Sequence, residues 1–198
     1  MSIFIGDDNS VTVRCPMFVG KKEIENFVQS KSGWITSHLA RNASRKEKFA
    51  EVVGLKKIFV GGQAVDLVFC AQNKVTDDAV YIRDEQSVRK LFIRSFGEKF
   101  FALFDRLSSD CSLKAQSVGF RAYKGRWGCC DGKNNIRFNY KILMLPERLQ
   151  EYIIVHELCH TIVHNHSARF KALLLKCLPD FRLREAELKE CSFLARMY

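Results

Sequence analysis

Twelve residues, 155 to 166, constrain this chain more than any other stretch: Val-His-Glu-Leu-Cys-His-Thr-Ile-Val-His-Asn-His. They hold four of its five histidines. His156 and His160 stand four apart, which places them on one face of a helix, one turn above the other. Glu157 follows the first histidine directly. In this His-Glu-x-x-His arrangement two imidazoles hold one metal ion, and the carboxylate acts on a water that the metal activates. The pattern lies on an apolar helix, with Leu149, Ile153, Ile154, Leu158 and Ile162 at helical spacing. That chemistry points to a zinc-dependent hydrolase with Zn2+ as cofactor.

A catalytic zinc commonly takes three protein ligands and keeps one position open. His164 and His166 both compete for the third place. On an unbroken helix His164 would sit two turns beyond His156, about 12 Å along the axis, too far for the two rings to converge with His160 between them. Asn165 is a residue type that ends helices in the left-handed conformation. The chain can therefore turn there and carry His166 back, so His156, His160 and His166 form the expected ligand set, and His164 is left exposed or beside the ligands without touching the metal. Glu157 is offset from His156 by about 100° around the axis, so it can reach the activated water without occupying the metal. It is the expected general base. Cys159 faces away from the histidine edge and reads as a small packing residue. Arg126, Tyr140 and Tyr152 are candidates for stabilising the tetrahedral oxyanion, and the sequence does not choose among them.

The remaining chain is mixed. Val11 and Val13 mark a short strand that stops at Cys15-Pro16. Ile24, Phe27, Val28, Ile35 and Leu39 predict a helix over residues 21–41, weakened at Gly33, with a polar loop or helix end over 41–48. Residues 57–70 read as a β-hairpin turning at Gly61-Gly62. Residues 80–83 form another short strand. Asp84 or Ser87 can cap a long helix to about residue 107, whose stripe of Val88, Leu91, Phe92, Phe96, Phe100, Leu103, Phe104 and Leu107 is core. A strand over 117–123, a glycine-punctuated turn region over 125–132 and an alternating strand over 135–140 follow. Pro146 and Glu147 suit the start of the His-Glu-x-x-His helix, read over 146–163. Helices over 168–178 and 180–196 close the chain.

Bulk properties set the surroundings. With 198 residues the chain suits one well-filled domain. No apolar run approaches the roughly 20 residues needed to cross a bilayer, and the first residues carry no basic stretch followed by an apolar core, so the expected location is cytoplasmic, with no membrane partner. The eight cysteines are scattered without Cys-x-x-Cys spacing, which fits reduced thiols. Net charge is +10. Between Lys114 and Arg148, eight cations (Lys114, Arg121, Lys124, Arg126, Lys133, Arg137, Lys141, Arg148) face only Asp131 and Glu147. Such an excess suits non-specific contact with nucleic acid.

Three segments together resemble the YgjP-like metallopeptidases, relatives of the SprT-like zinc proteases. They are Arg126-Trp127-Gly128-x-Cys130; Asn135-Ile136-x-x-Asn139 ahead of Pro146; and His156-Glu157-Leu158-x-His160 with Asn165-His166-Ser167-x-x-Phe170. The chain departs from the family pattern at Cys129, where serine is usual, and at Lys171, where tryptophan is common. The resemblance implies the same ligand set and the same catalytic glutamate. It also implies an α+β, zincin-like fold: a small sheet packed on a long helix and on the active-site helix, with C-terminal helices. Residues 1–83 would be a β-rich region with one helix, and 84–198 the metallopeptidase core. The expected activity is hydrolysis of peptide bonds in a peptide or protein substrate bound along a sheet edge. The alternative is a basic nucleic-acid-associated binding protein with a structural zinc site.

Overall fold

The computed structural model describes residues 1–6 and 9–196. The fold is α+β, built from small sheets and several helices. It divides into two compact units, Met1–Val53 and Gly54–Tyr198.

In the first unit, β1 (Ser2–Ile5) pairs antiparallel with β2 (Val11–Arg14), Ser2 opposite Arg14. Asn42 Nδ2 ties the following helices to this ribbon, donating to the Gly6 carbonyl at 3.3 Å and to Asn9 Oδ1 at 3.2 Å. The helix expected over 21–41 is two helices, α1 (Lys21–Ser30) and α2 (Ser32–Lys48), because Lys31 leaves helical geometry at φ −108°, ψ 7°. The polar stretch 41–48 stays helical, since Arg, Lys, Ala and Glu are all good helix formers by intrinsic propensity. A short α3 (Ala50–Val53) ends the unit.

The second unit opens with β3 (Lys57–Val60) and β4 (Gln63–Phe69), joined through Gly61 at φ +56° and Gly62 at φ +89°. Two successive positive φ values make the tight hairpin turn that glycine allows without a Cβ clash. Two further short strands, β5 (Lys74–Val75) and β6 (Ala79–Ile82), complete a sheet of order β3-β4-β6-β5, with β4 and β6 parallel. The hairpin tip is docked, not free: Gly61 N–H donates to the Leu143 carbonyl at 3.3 Å and Gly62 N–H to the Met144 carbonyl at 2.8 Å. Those carbonyls belong to a buried 3₁₀ turn, Tyr140–Met144, directly ahead of the His-Glu-x-x-His helix.

Helix α4 (Ser87–Cys111) is capped by Asp84, whose Oδ1 accepts from Ser87 N–H and Oγ–H, both at 2.8 Å. Its apolar stripe is the core. Val88 and Phe92 are fully buried, and Phe100 and Phe104 lie edge-on to Phe138 at 5.1 and 6.1 Å between centroids. Phe138 sits on β9 (Asn135–Asn139), the central strand of a second sheet, with β7 (Ser117–Arg121) parallel on one side and β8 (Gly128–Cys130) antiparallel on the other. Then come α5 (Glu147–His160), α6 (Ala168–Cys177), α7 (Phe181–Glu190) and a 3₁₀ turn, Ser192–Arg196, where the final helix expected to run to 196 has already ended. Ion pairs hold α5 from two sides: Glu147 to Lys99 at 2.9 Å, and Glu151 to Arg106 at 3.0 Å and Arg184 at 2.6 Å. No helix among the described residues is long and apolar enough to cross a membrane.

Candidate metal centre

Helix α5 is buried along most of its length, with Ile154, Val155, Leu158 and Cys159 at 0% exposure. Its end presents the histidines. The helix stops at His160, and Thr161 takes the C-cap position. The expected left-handed break at Asn165 is not what turns the chain: the described non-glycine residues at positive φ are Asn9, Leu55, Ser112 and Asn134. The helix ends earlier because His160 and Thr161 take up its last turn. His160 Nδ1 lies 2.9 Å from the Val163 carbonyl, and Thr161 Oγ1 donates to the Leu158 carbonyl at 2.7 Å. Ile162, expected on the apolar face, is consequently 52% exposed. Asn165 still shapes the approach, by accepting the Ser167 N–H on its side-chain oxygen at 3.2 Å.

The result is a triangle of imidazoles. His156 Nε2 and His160 Nε2 are 3.2 Å apart, His160 and His166 3.2 Å, and His166 and His156 3.1 Å. His164 is exposed and outside this group. One donor set can be tested for fit. Two nitrogens bound tetrahedrally at the usual zinc–nitrogen length stand about 3.4 Å from each other, close to the spacing here. His160 is also oriented: hydrogen on Nδ1, donated to Val163, leaves the Nε2 lone pair facing inward. Burial, reinforced by the other two rings, lowers the pKa of His156 to about 3, and burial lowers that of His160, so both stay neutral and able to ligate. His156 Nδ1 is buried and has no hydrogen-bond partner among the described residues. The three rings fit a metal ion.

Phe170, on α6, supports all three. Its ring stacks on His160 at 4.5 Å and 28°, and meets His156 and His166 edge-on, each at 5.0 Å. Sequence reading placed Phe170 only in a motif. The signal for its role was its place four residues after His166, one turn into the next helix.

Glu157 is 7% exposed. Burial pushes its pKa up to about 7, opposed by the Arg126 guanidinium and by a hydrogen bond from the Cys130 N–H. Arg126 is exposed; Tyr152 is buried and edge-on to His156 at 5.9 Å, with burial holding its hydroxyl proton up to about 12; Tyr140 is buried in the 3₁₀ turn.

A side chain absent from the expected site sets the loop in front of it. Asn139, fully buried, donates from Nδ2 to the Tyr123 carbonyl at 3.1 Å and the Arg126 carbonyl at 3.0 Å, while its N–H donates to the Trp127 carbonyl at 2.7 Å. These bonds deliver Arg126 and β8 to the mouth of the site. On the far side of α5, Cys159 is buried near Cys111 and Cys177, and burial raises its thiol pKa to about 12, which suits packing and not reactivity.

The family model for the YgjP-like metallopeptidase domain matches residues 1–191. Among solved structures, the metallopeptidase zymogen abylysin of Pyrococcus abyssi is 24% identical, with 50% of this chain and 97% of that one covered and a TM-score of 0.43. The zymogen jannalysin of Methanocaldococcus jannaschii is 22% identical, with 48% and 96% covered and a TM-score of 0.42. No curated protein matches.

Proposed function

This chain belongs to the YgjP-like metallopeptidase family, and from that premise we propose that it is a zinc-dependent peptidase whose general base is Glu157. The observation that carries the reading is the convergence of His156, His160 and His166 Nε2 within 3.2 Å of one another, one residue from a buried carboxylate. Three imidazoles with no thiolate or carboxylate among them form a neutral donor set of the kind catalytic zinc uses. Zinc, when bound there, polarises water and the scissile carbonyl.

The chain's own groups carry the proton. Glu157 takes it from the attacking water as the C–O bond forms, and returns it to the amine nitrogen as the C–N bond of the tetrahedral species then breaks. Strand β8 lies at the edge of its sheet, so its outer backbone groups can pair with an extended substrate. We read this small sheet over the histidine helix as a zincin-like arrangement. Eight cysteines scattered without Cys-x-x-Cys spacing support a reducing, cytoplasmic setting.

The test is metal content beside proteolysis of an unfolded protein substrate. Wild-type protein should carry zinc and cleave; a chelator should stop cleavage and zinc should restore it. Glu157→Gln should retain the metal while kcat falls by about 10²–10⁴-fold. Full turnover in that variant overturns the mechanism.

A further inference from the structure

We infer that Gly128 and the strand that carries it position the Glu157 carboxylate, an inference that rests on the peptidase reading above. A Cβ placed on Gly128 would lie 2.7 Å from Glu157 Oε1, 2.8 Å from Cγ and 2.9 Å from Cδ. Non-bonded carbons do not approach so closely, so a methyl group here must displace something. Backbone conformation does not explain the glycine: the described glycines at positive φ are Gly61, Gly62 and Gly125. The requirement is space for one particular side chain.

Neither partner can easily retreat. Strand β8 is held in register against β9, Gly128 opposite Phe138 and Cys130 opposite Ile136, and both facing residues are fully buried. The residue before it is pinned, because the Trp127 carbonyl accepts the Asn139 N–H at 2.7 Å. Glu157 is buried on α5. The strand therefore meets Glu157 at the bare α-carbon of residue 128. The missing side chain lets Cγ, Cδ and Oε1 of Glu157 lie against the strand. That close fit holds the carboxylate in one orientation before substrate arrives, which is where a general base gains most from a fixed position.

The experiment compares Gly128→Ala, Glu157→Ala and the double variant in the full, zinc-loaded chain. Gly128→Ala should keep the zinc stoichiometry and KM of the wild type while kcat falls by about 100-fold, the effect of a displacement on the order of 1 Å. Its melting temperature should fall by about 3 °C or more, as overpacking does, and that fall should vanish when residue 157 is alanine. If Gly128→Ala does not fold, the same substitution in the Glu157→Ala chain should fold. The inference is overturned if kcat stays within about threefold of wild type, or if the thermal penalty or the folding failure is the same in both backgrounds. A wild type that cleaves no peptide would defeat the peptidase reading alone; the thermal comparison would still decide whether strand and glutamate constrain each other.

Discussion

Each of the three imidazoles is placed by a different device. His160 is oriented through Nδ1 by the Val163 carbonyl at 2.9 Å. His166 is carried back by the turn in which Asn165 Oδ1 accepts the Ser167 N–H. His156 has no hydrogen-bond partner at Nδ1 among the described residues and depends on packing. Phe170 touches all three rings, so it does most of the packing. Phe170→Ala should cost about 3–5 kcal/mol of stability and also weaken zinc binding, measured by thermal melts and by competition with a chromogenic chelator. Unchanged zinc affinity in a destabilised variant would show that the ring fills space without ordering the ligands. The histidines themselves separate cleanly. His166→Ala should weaken zinc by more than about 100-fold, beyond what loss of an outer partner causes, whereas His164→Ala should leave it unchanged.

Elements ahead of α5 set where it begins and what faces it, and here the sequence was legible only in part. The Gly61-Gly62 hairpin could be read because its turn chemistry is local. The His156–His160 pair could be read because a helix fixes its own spacing. Strand β8 could not: Gly128-Cys129-Cys130 has no alternation, reads as part of a turn region, and becomes a strand only by pairing with Cys130 opposite Ile136 on β9. The parallel pairing of β4 with β6 and the end of α5 at His160 are likewise fixed by a partner further along the chain or by side-chain bonds, while β1 and β5 have near partners but are too short to show a pattern. Asn139 stood in a recognisable motif, but its task needed the fold. Asn139→Ala removes both donors to the Tyr123 and Arg126 carbonyls and should cost at least about 2 kcal/mol, with kcat falling while zinc is retained. The β8–β9 turn adds a pH dependence. Asp131 accepts from the N–H groups of Lys133 and Asn135 and from Asn135 Nδ2, and these bonds hold its carboxyl below the usual range. A lowered pKa stabilises the folded turn above the ordinary value and loses that contribution as pH falls through the lowered one. Amide-exchange protection at residues 133–135 should therefore drop below about pH 4 and should be insensitive to pH from 5 to 8; Asp131→Asn should remove the acid-side step.

For the molecule as a whole, net charge is +10, and the density of cations between Lys114 and Arg148 suggested a polyanion surface. The structure redistributes them. Arg148 is engaged by Glu187 at 3.2 Å and Asp180 at 3.7 Å. Lys141 is 4% exposed, its ammonium donates to the Ala195 carbonyl at 3.1 Å, and burial lowers its pKa. Arg137 donates to Ser117 Oγ at 3.0 Å and to the Ile136 carbonyl at 2.8 Å. Lys114, Arg121, Lys124, Arg126 and Lys133 remain exposed. A count along the chain cannot distinguish these groups, because partners from α7 and from the final 3₁₀ turn lie far away in sequence. Any non-specific contact between this stretch and a phosphodiester backbone must fall to the exposed five, through release of counterions. Binding of a single-stranded oligonucleotide, followed by anisotropy across a salt series, should show this. Removing Lys124 and Lys133 together should make the slope of log K against log salt shallower by about 1.4, at roughly 0.7 for each phosphate no longer neutralised. Arg148→Ala should leave the slope unchanged and cost at most about 1 kcal/mol of stability, as an exposed ion pair does. If Arg148→Ala alters the slope as much as the two lysines do, the pairing with α7 does not withdraw that guanidinium from solvent anions, and charge along the sequence would be the better guide to this surface.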